Sequence, residues 1–194
     1  VRQEKLVGPA AAVLAVVAGL GCVLLGVTTV LAPGTSMTAG AAPRERPATG
    51  VLPAALVIPA LDLVVNHLVD LGHIAGRREQ PGTADGVGWF ADGPAPGAPG
   101  VAVLSGHTGF GFSRGAFARL GTLQPGSAVM VRDDEGREAR FTVRRTETFA
   151  PDEPDSTLVA PEGPGPELRL ITSDGSHDTA GMNGPRVAVY ATPV

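Results

Sequence analysis

Three residues of this 194-residue chain carry side chains suited to moving an acyl group, and each stands at the edge of an apolar run. Val101 to Ser105 leads into Gly106-His107-Thr108; Leu170-Ile171-Thr172 leads into Ser173-Asp174-Gly175; Arg186 opens Val187-Ala188-Val189-Tyr190-Ala191. If the runs are strands, an imidazole, a hydroxyl and a guanidinium at their ends can meet at one peptide carbonyl. Acyl transfer needs a nucleophile, a proton shuttle that titrates near neutrality, and a positive donor at the carbonyl oxygen. A hydroxyl also needs a positioned base, and an efficient one has its histidine oriented by a buried carboxylate. Nothing beside His107 in sequence supplies that acid, which leaves Asp62, Asp92 or Asp174 as groups that folding could bring near.

Each residue also has a purely structural reading. His107 could bond the backbone of a Gly-rich turn, Ser173 could close a turn with its hydroxyl, and Arg186 could be a solvated strand end. Their order and spacing favour the site reading. His67, His73 and His177 are scattered without ligand-like spacing, so neither a metal nor a cofactor is expected. His177 lies close to Ser173 in sequence, and a loop surface is its expected place. Gly111-Phe112-Ser113-Arg114-Gly115 matches the G-x-S-x-G pattern, but that elbow needs a strand running straight into the turn, and Gly106 to Phe110 is turn-like. A penicillin-binding-type S-x-x-K centre is excluded, because the only lysine is Lys5.

The elements that must position these groups are short. With 27 Gly and 18 Pro, and aromatics at 4%, the core is built from Val, Leu and Ala between many turns. Strands are expected at 55–58, 64–68, 101–105, 128–132, 139–147, 167–172 and 186–192. Turn signals separate them at Pro94-Ala-Pro-Gly97, Pro125-Gly126, Asp134-Glu-Gly136 and Gly163-Pro-Gly-Pro166. From Ala139 to Thr146 the pattern alternates, with Phe141 and Val143 on one face and Arg140, Thr142 and Arg144 on the other. Leu168–Ile171 and Val187–Tyr190 are continuously apolar and should be central strands. Ser113 is placed to cap one short helix through Leu120, burying Phe117 and Leu120. The expected class is mainly β, a small barrel with one or two short helices.

Residues 10–32 hold no charge; at about 1.5 Å each they reach about 35 Å, enough to span a hydrocarbon core of roughly 30 Å. Arg2 and Lys5 before this run favour a cytoplasmic N-terminus, with Arg44 and Arg46 a weaker opposing signal beyond it. The expected organisation is a cytoplasmic segment 1–9, a transmembrane anchor 10–32, a flexible Pro/Gly/Ala linker 33–50 and a folded extracytoplasmic domain 51–194. A cleaved signal peptide with Ala39-Gly40-Ala41 at the cut is the alternative. Cys22, the one cysteine, lies inside the apolar run, so no disulfide can form within the chain and no thiol is available outside the membrane. The net charge of −4 without a basic stripe gives no reason to expect nucleic acid.

The order of these motifs resembles the sortase family over about residues 52–194. Gly106-His107-Thr108 is similar to its histidine motif, Leu170-Ile171-Thr172-Ser173 to its nucleophile motif, and Arg186, thirteen positions on, to its arginine. Ile58-Pro59-Ala60, Gly88-Trp89-Phe90, Ala116-Phe117-Ala118-Arg119-Leu120 and Leu123-Gln-Pro-Gly126 agree, and the succession most resembles the single-pass class E and class F members of actinobacteria. The resemblance implies a closed sortase-type barrel that cleaves an LPxTG-like sorting peptide after threonine. The acyl group then passes to an amine of the cell wall or a pilin, or to water. Where the family has cysteine, this chain has Ser173. A hydroxyl is a far weaker nucleophile than a thiolate. Two readings therefore stand: a serine-dependent transpeptidase or hydrolase, and a non-catalytic domain that binds a sorting peptide or partner protein.

Overall fold

Apolar side chains at every second position dominate the strands, and burying both alternating sets gives the architecture. The computed structural model describes residues 49–74, 77–172 and 185–194. Its strands are β1 (Ala55–Ile58), β2 (Leu63–Val65), β3 (Val69–Leu71), β4 (His73–Ile74), β5 (Arg77–Arg78), β6 (Val87–Phe90), β7 (Gly100–Gly106), β8 (Gly109–Phe110), β9 (Ser113–Arg114), β10 (Ala128–Arg132), β11 (Glu138–Phe149), β12 (Pro166–Thr172) and β13 (Arg186–Pro193). Nine form one curled sheet in the order β2-β1-β10-β11-β13-β12-β7-β6-β3, while β4-β5 and β8-β9 are separate hairpins. One α-helix, α1 (Asp155–Leu158), and two 3-10 turns complete the described residues.

The inner face of the sheet holds the main core, including Leu56, Ile58, Leu104, Val129, Phe141, Leu168, Leu170 and Val189, closed by Phe117 and Leu120. A second cluster lies on the opposite face: Leu71, Phe90, Val103, Leu158, Ile171, Ala188 and Tyr190. Strands β7, β12 and β13 are therefore covered on both sides, which explains their near-continuous apolar sequences. Strand β11 keeps the alternation read from its sequence, with Phe141 and Val143 buried and Arg140 and Arg144 exposed. A register shift between Val143 and Arg145 then re-aims its second half. The turn from β10 to β11 is held by Asp133, whose Oδ1 accepts from the backbone N–H groups of Glu135 (3.0 Å) and Arg137 (2.8 Å), with Gly136 at φ +81°.

Three expectations change. The closed barrel is a half-barrel, because β2 and β3 end the sheet order and each pairs along one side only. The helix from Ser113 to Leu120 does not form: Ser113 belongs to β9, and the helical turn is the 3-10 segment Leu120–Thr122. Its N–H groups are claimed elsewhere, Gly115 donating to Thr108 O (3.0 Å), Ala116 to Ala84 O (2.8 Å) and Phe117 to His107 O (2.9 Å). Phe117 and Leu120 are buried all the same. The strand expected at 64–68 is instead β2 at Leu63–Val65 followed by β3 at Val69–Leu71. Among the described residues no helix is long and apolar enough to cross a membrane; the anchor expected at 10–32 and the linker to residue 48 lie outside them.

Candidate active site

Backbone pairing brings the motif-bearing strand ends together. Strands β7 and β12 run parallel, with Ser105 opposite Ile171 and Gly106 opposite Thr172. Strand β13 lies on the other side of β12, and the Val187 N–H donates to Thr172 Oγ1 at 2.9 Å. His107 thus leaves the end of β7 and Arg186 begins β13, with the end of β12 between them. Two strand spacings put those backbones roughly 10 Å apart. Thr172 is the last described residue of its segment, and Ser173, Asp174 and His177 lie outside the described residues.

His107 is fixed on every side that the structure describes. It is 0% exposed, its carbonyl accepts from Phe117 N (2.9 Å), and its ring meets Phe110 edge-on with centroids 4.9 Å apart. Gly115 is required beneath it, since a Cβ there would lie 2.0 Å from the His107 carbonyl oxygen. Nε2 stands 2.7 Å from the Pro81 carbonyl oxygen. A carbonyl only accepts, so Nε2 carries the hydrogen and the lone pair of the neutral ring is on Nδ1. Among the described residues the orienting group is a backbone carbonyl, and two of the carboxylates considered from sequence are engaged elsewhere. Asp92 pairs with His73 Nδ1 at 2.7 Å, Asp62 caps a 3-10 turn in the left-handed region at φ +51°, and Asp174 lies outside the described residues.

Arg186 is 6% exposed, so its charge is delivered to a nearly water-free place. The segment joining β11 to β12 holds it: Nη1 donates to Glu153 O at 3.0 Å and Nη2 to the Asp155 carboxylate. Arg186, Ala188 and Tyr190 share one face of β13, the face that carries the second apolar cluster, and Leu158 of α1 is buried in that cluster. The same carboxylate also faces Arg78, whose Nε is 3.5 Å from Asp155 Oδ2. Arg78 lies over Phe90, with Cζ 5.0 Å from the ring centre. Burial lowers the pKa of Arg78, Asp155 opposes that shift, and the neighbouring Arg186 charge adds to it.

The β11–β12 segment is itself tied down by a buried ion pair. Arg169, 1% exposed, donates to Glu167 Oε2 at 2.7 Å and to Ala160 O at 2.9 Å, and stacks with Cζ 3.9 Å from the Tyr190 ring centre. Glu167 Oε1 accepts from the N–H groups of Glu162 (2.8 Å) and Gly163 (2.7 Å). Pro81, Asp155, Arg78 and Leu158 were not singled out from sequence. Each acts through a contact distant along the chain, and only Asp155, opening a short apolar-ended segment after Pro154, left a local trace.

No group of three His, Cys, Asp or Glu side chains among the described residues is arranged to hold a metal. A shallow groove of 540 Å³ among Leu63, Val64, Val69, Asp85, Arg114 and Ala116 includes neither His107 nor Arg186. Its size is no guide to the reaction centre.

The sortase domain family matches residues 56–194. The chain belongs to the sortase family. Solved structures with the same fold include sortase A from Corynebacterium diphtheriae, at 22% identity and a TM-score of 0.52, covering 77% of this chain and 62% of that one. Sortase C-1 from Actinomyces oris matches at 23% identity and a TM-score of 0.51, covering 72% of each chain. Sortase C1 from Streptococcus agalactiae matches at 20% identity and a TM-score of 0.55, covering 73% of this chain and 66% of that one. The chain thus spans less than two thirds of the length of the diphtheria protein, and identities this low speak for the fold. Among curated protein sequences none matches it significantly.

Proposed function

We propose that the protein is a membrane-anchored sortase of the class E or class F kind, with its folded domain facing outward. It acts on LPxTG-like sorting peptides through His107, Ser173 and Arg186. The observation that carries this reading is the register of β7, β12 and β13, which sets the ends bearing the histidine and arginine on either side of Thr172, the residue before Ser173.

In this mechanism Ser173 Oγ attacks the threonine carbonyl of the sorting signal while its proton passes to His107 Nδ1. The tetrahedral oxyanion develops beside Arg186, whose buried charge is worth far more there than in water. Collapse breaks the peptide bond, and His107 returns the proton to the departing amine. The ester on Ser173 is then taken by an amine of the cell wall or a pilin, or by water, with His107 accepting the nucleophile's proton.

One observation favours the second reading, a sortase domain that binds its peptide or a partner protein without turnover. His107 is oriented by the Pro81 carbonyl, which stabilises an imidazolium less than a carboxylate would. In such a site a serine form should be slower than its cysteine counterpart by at least roughly 10³. Turnover of LPxTG-like peptides by the full chain, with His107→Ala beside it, separates the two. Cleavage that disappears in His107→Ala supports the enzyme; binding without cleavage supports the binding domain.

A further inference from the structure

Two guanidiniums, Arg78 and Arg186, share one carboxylate. Asp155 takes a hydrogen bond from Arg186 and stands 3.5 Å from Arg78 Nε, with its own side chain 42% exposed. Glu153 adds only a neutral carbonyl. Asp92 acts on Arg78 from further off and is bound to His73. Arg186 Nε and Arg78 Nη1 are both buried and have no hydrogen-bond partner among the described residues. Buried donors left unmade are costly, and more so when the group is charged. Arg169 Nε is also buried without a partner among the described residues, but there the charge is matched one to one by Glu167. Here, among the described residues, two cations against one carboxylate leave a single positive charge over, beside the apolar Phe90 ring and at the start of β13.

We propose that Arg78 and Arg186 form a recess for one carboxylate, and that the group it takes is an acidic side chain of the peptide substrate beside the scissile bond. A carboxylate fits on two counts: it supplies the one negative charge lacking among the described residues, and its forked oxygens match guanidinium N–H groups. The carboxylate site stands on the geometry alone; that its ligand is a peptide rests on the function proposed above. Arg78 would then set specificity, while Arg186 serves both recognition and the oxyanion.

The test titrates the full chain, in detergent micelles, with two LPxTG-like peptides identical except for Glu or Gln directly before the threonine. Calorimetry gives the affinities of the wild type and of Arg78→Gln. In parallel, the thermal shift given by glutarate is read for both. The wild type should prefer the Glu peptide by about tenfold at low salt, as one charge-assisted pair allows. Arg78→Gln should lose that preference and leave the Gln peptide unaffected. Equal binding of the two peptides by the wild type, or a preference that survives Arg78→Gln, overturns the proposal. If neither peptide binds but glutarate stabilises the wild type and not Arg78→Gln, the carboxylate site stands and the peptide reading falls. If glutarate is also without effect, the site itself is refuted. Should Arg78→Gln fail to fold, Arg78→Lys keeps the charge without the fork and should cut the preference at least about threefold.

Discussion

Replacing Glu167 by Gln removes one charge from the buried pair that anchors the β11–β12 segment while preserving shape. Arg169 would keep its charge at 1% exposure with no opposite charge beside it, only neutral acceptors such as the Ala160 carbonyl and the Tyr190 face. Breaking one partner of a buried ion pair in this way costs about 3–5 kcal/mol. For a domain of this size that lowers the melting temperature by roughly 10 °C. Replacing both residues, Glu167→Leu with Arg169→Met, leaves no stranded charge and should cost much less. There is a pH signature too. Burial alone would push the Glu167 carboxyl up, but Arg169 and the N–H groups of Glu162 and Gly163 outweigh it and hold the group below the usual carboxylate range. A lowered folded-state value contributes stability above the unfolded value of about 4.3, and that stability is lost as pH falls toward the folded value. Denaturant unfolding across pH 3 to 7 should therefore show less acid sensitivity in Glu167→Gln than in the wild type. A cost below about 1 kcal/mol, or an unchanged acid slope, would refute the role assigned to the pair.

Two other substitutions test the positioning of the reaction centre. Gly115→Ala forces a Cβ to within 2.0 Å of the His107 carbonyl oxygen, so the backbone under the imidazole must move. It should cost about 1–3 kcal/mol in denaturant unfolding, and peptide turnover should fall by up to roughly 10² if His107 shifts by about an ångström; unchanged turnover contradicts this. Arg186→Lys keeps a charge but cannot reach both Glu153 O and Asp155 as the guanidinium does. In steady-state assays kcat should fall by roughly 10²–10³ with less change in KM, and a loss confined to KM would argue against oxyanion stabilisation.

The strands that carry the motifs were legible because their apolar runs are long and end sharply. The starts and ends expected for the elements now seen as β7, β12 and β13 agree within one residue, and the alternation in β11 predicted which side chains turn inward. The stretch from Val69 to Phe90 was not legible, because strands of two to four residues hold too few positions to show a period. Ser113 looked like a helix cap, yet the N–H groups that follow it bond to Thr108, Ala84 and His107, contacts that no local pattern encodes. Of the candidate site, the strand ends that place His107 and Arg186 on either side of Thr172 were legible, but the groups that hold them, Pro81 and Asp155, are 26 and 31 residues away, where only the fold makes them neighbours.

The central claim is that position 173 is where the acyl group is held. Intact-mass spectrometry of the full chain after incubation with an LPxTG-like peptide, for the wild type and Ser173→Cys, tests it most directly. The expected result is an adduct equal to the peptide's acyl part, mapped by digestion to position 173. It should form faster by at least roughly 10³ in Ser173→Cys. Peptide cleavage with no adduct at position 173 in either form, or an adduct on another residue, would contradict it.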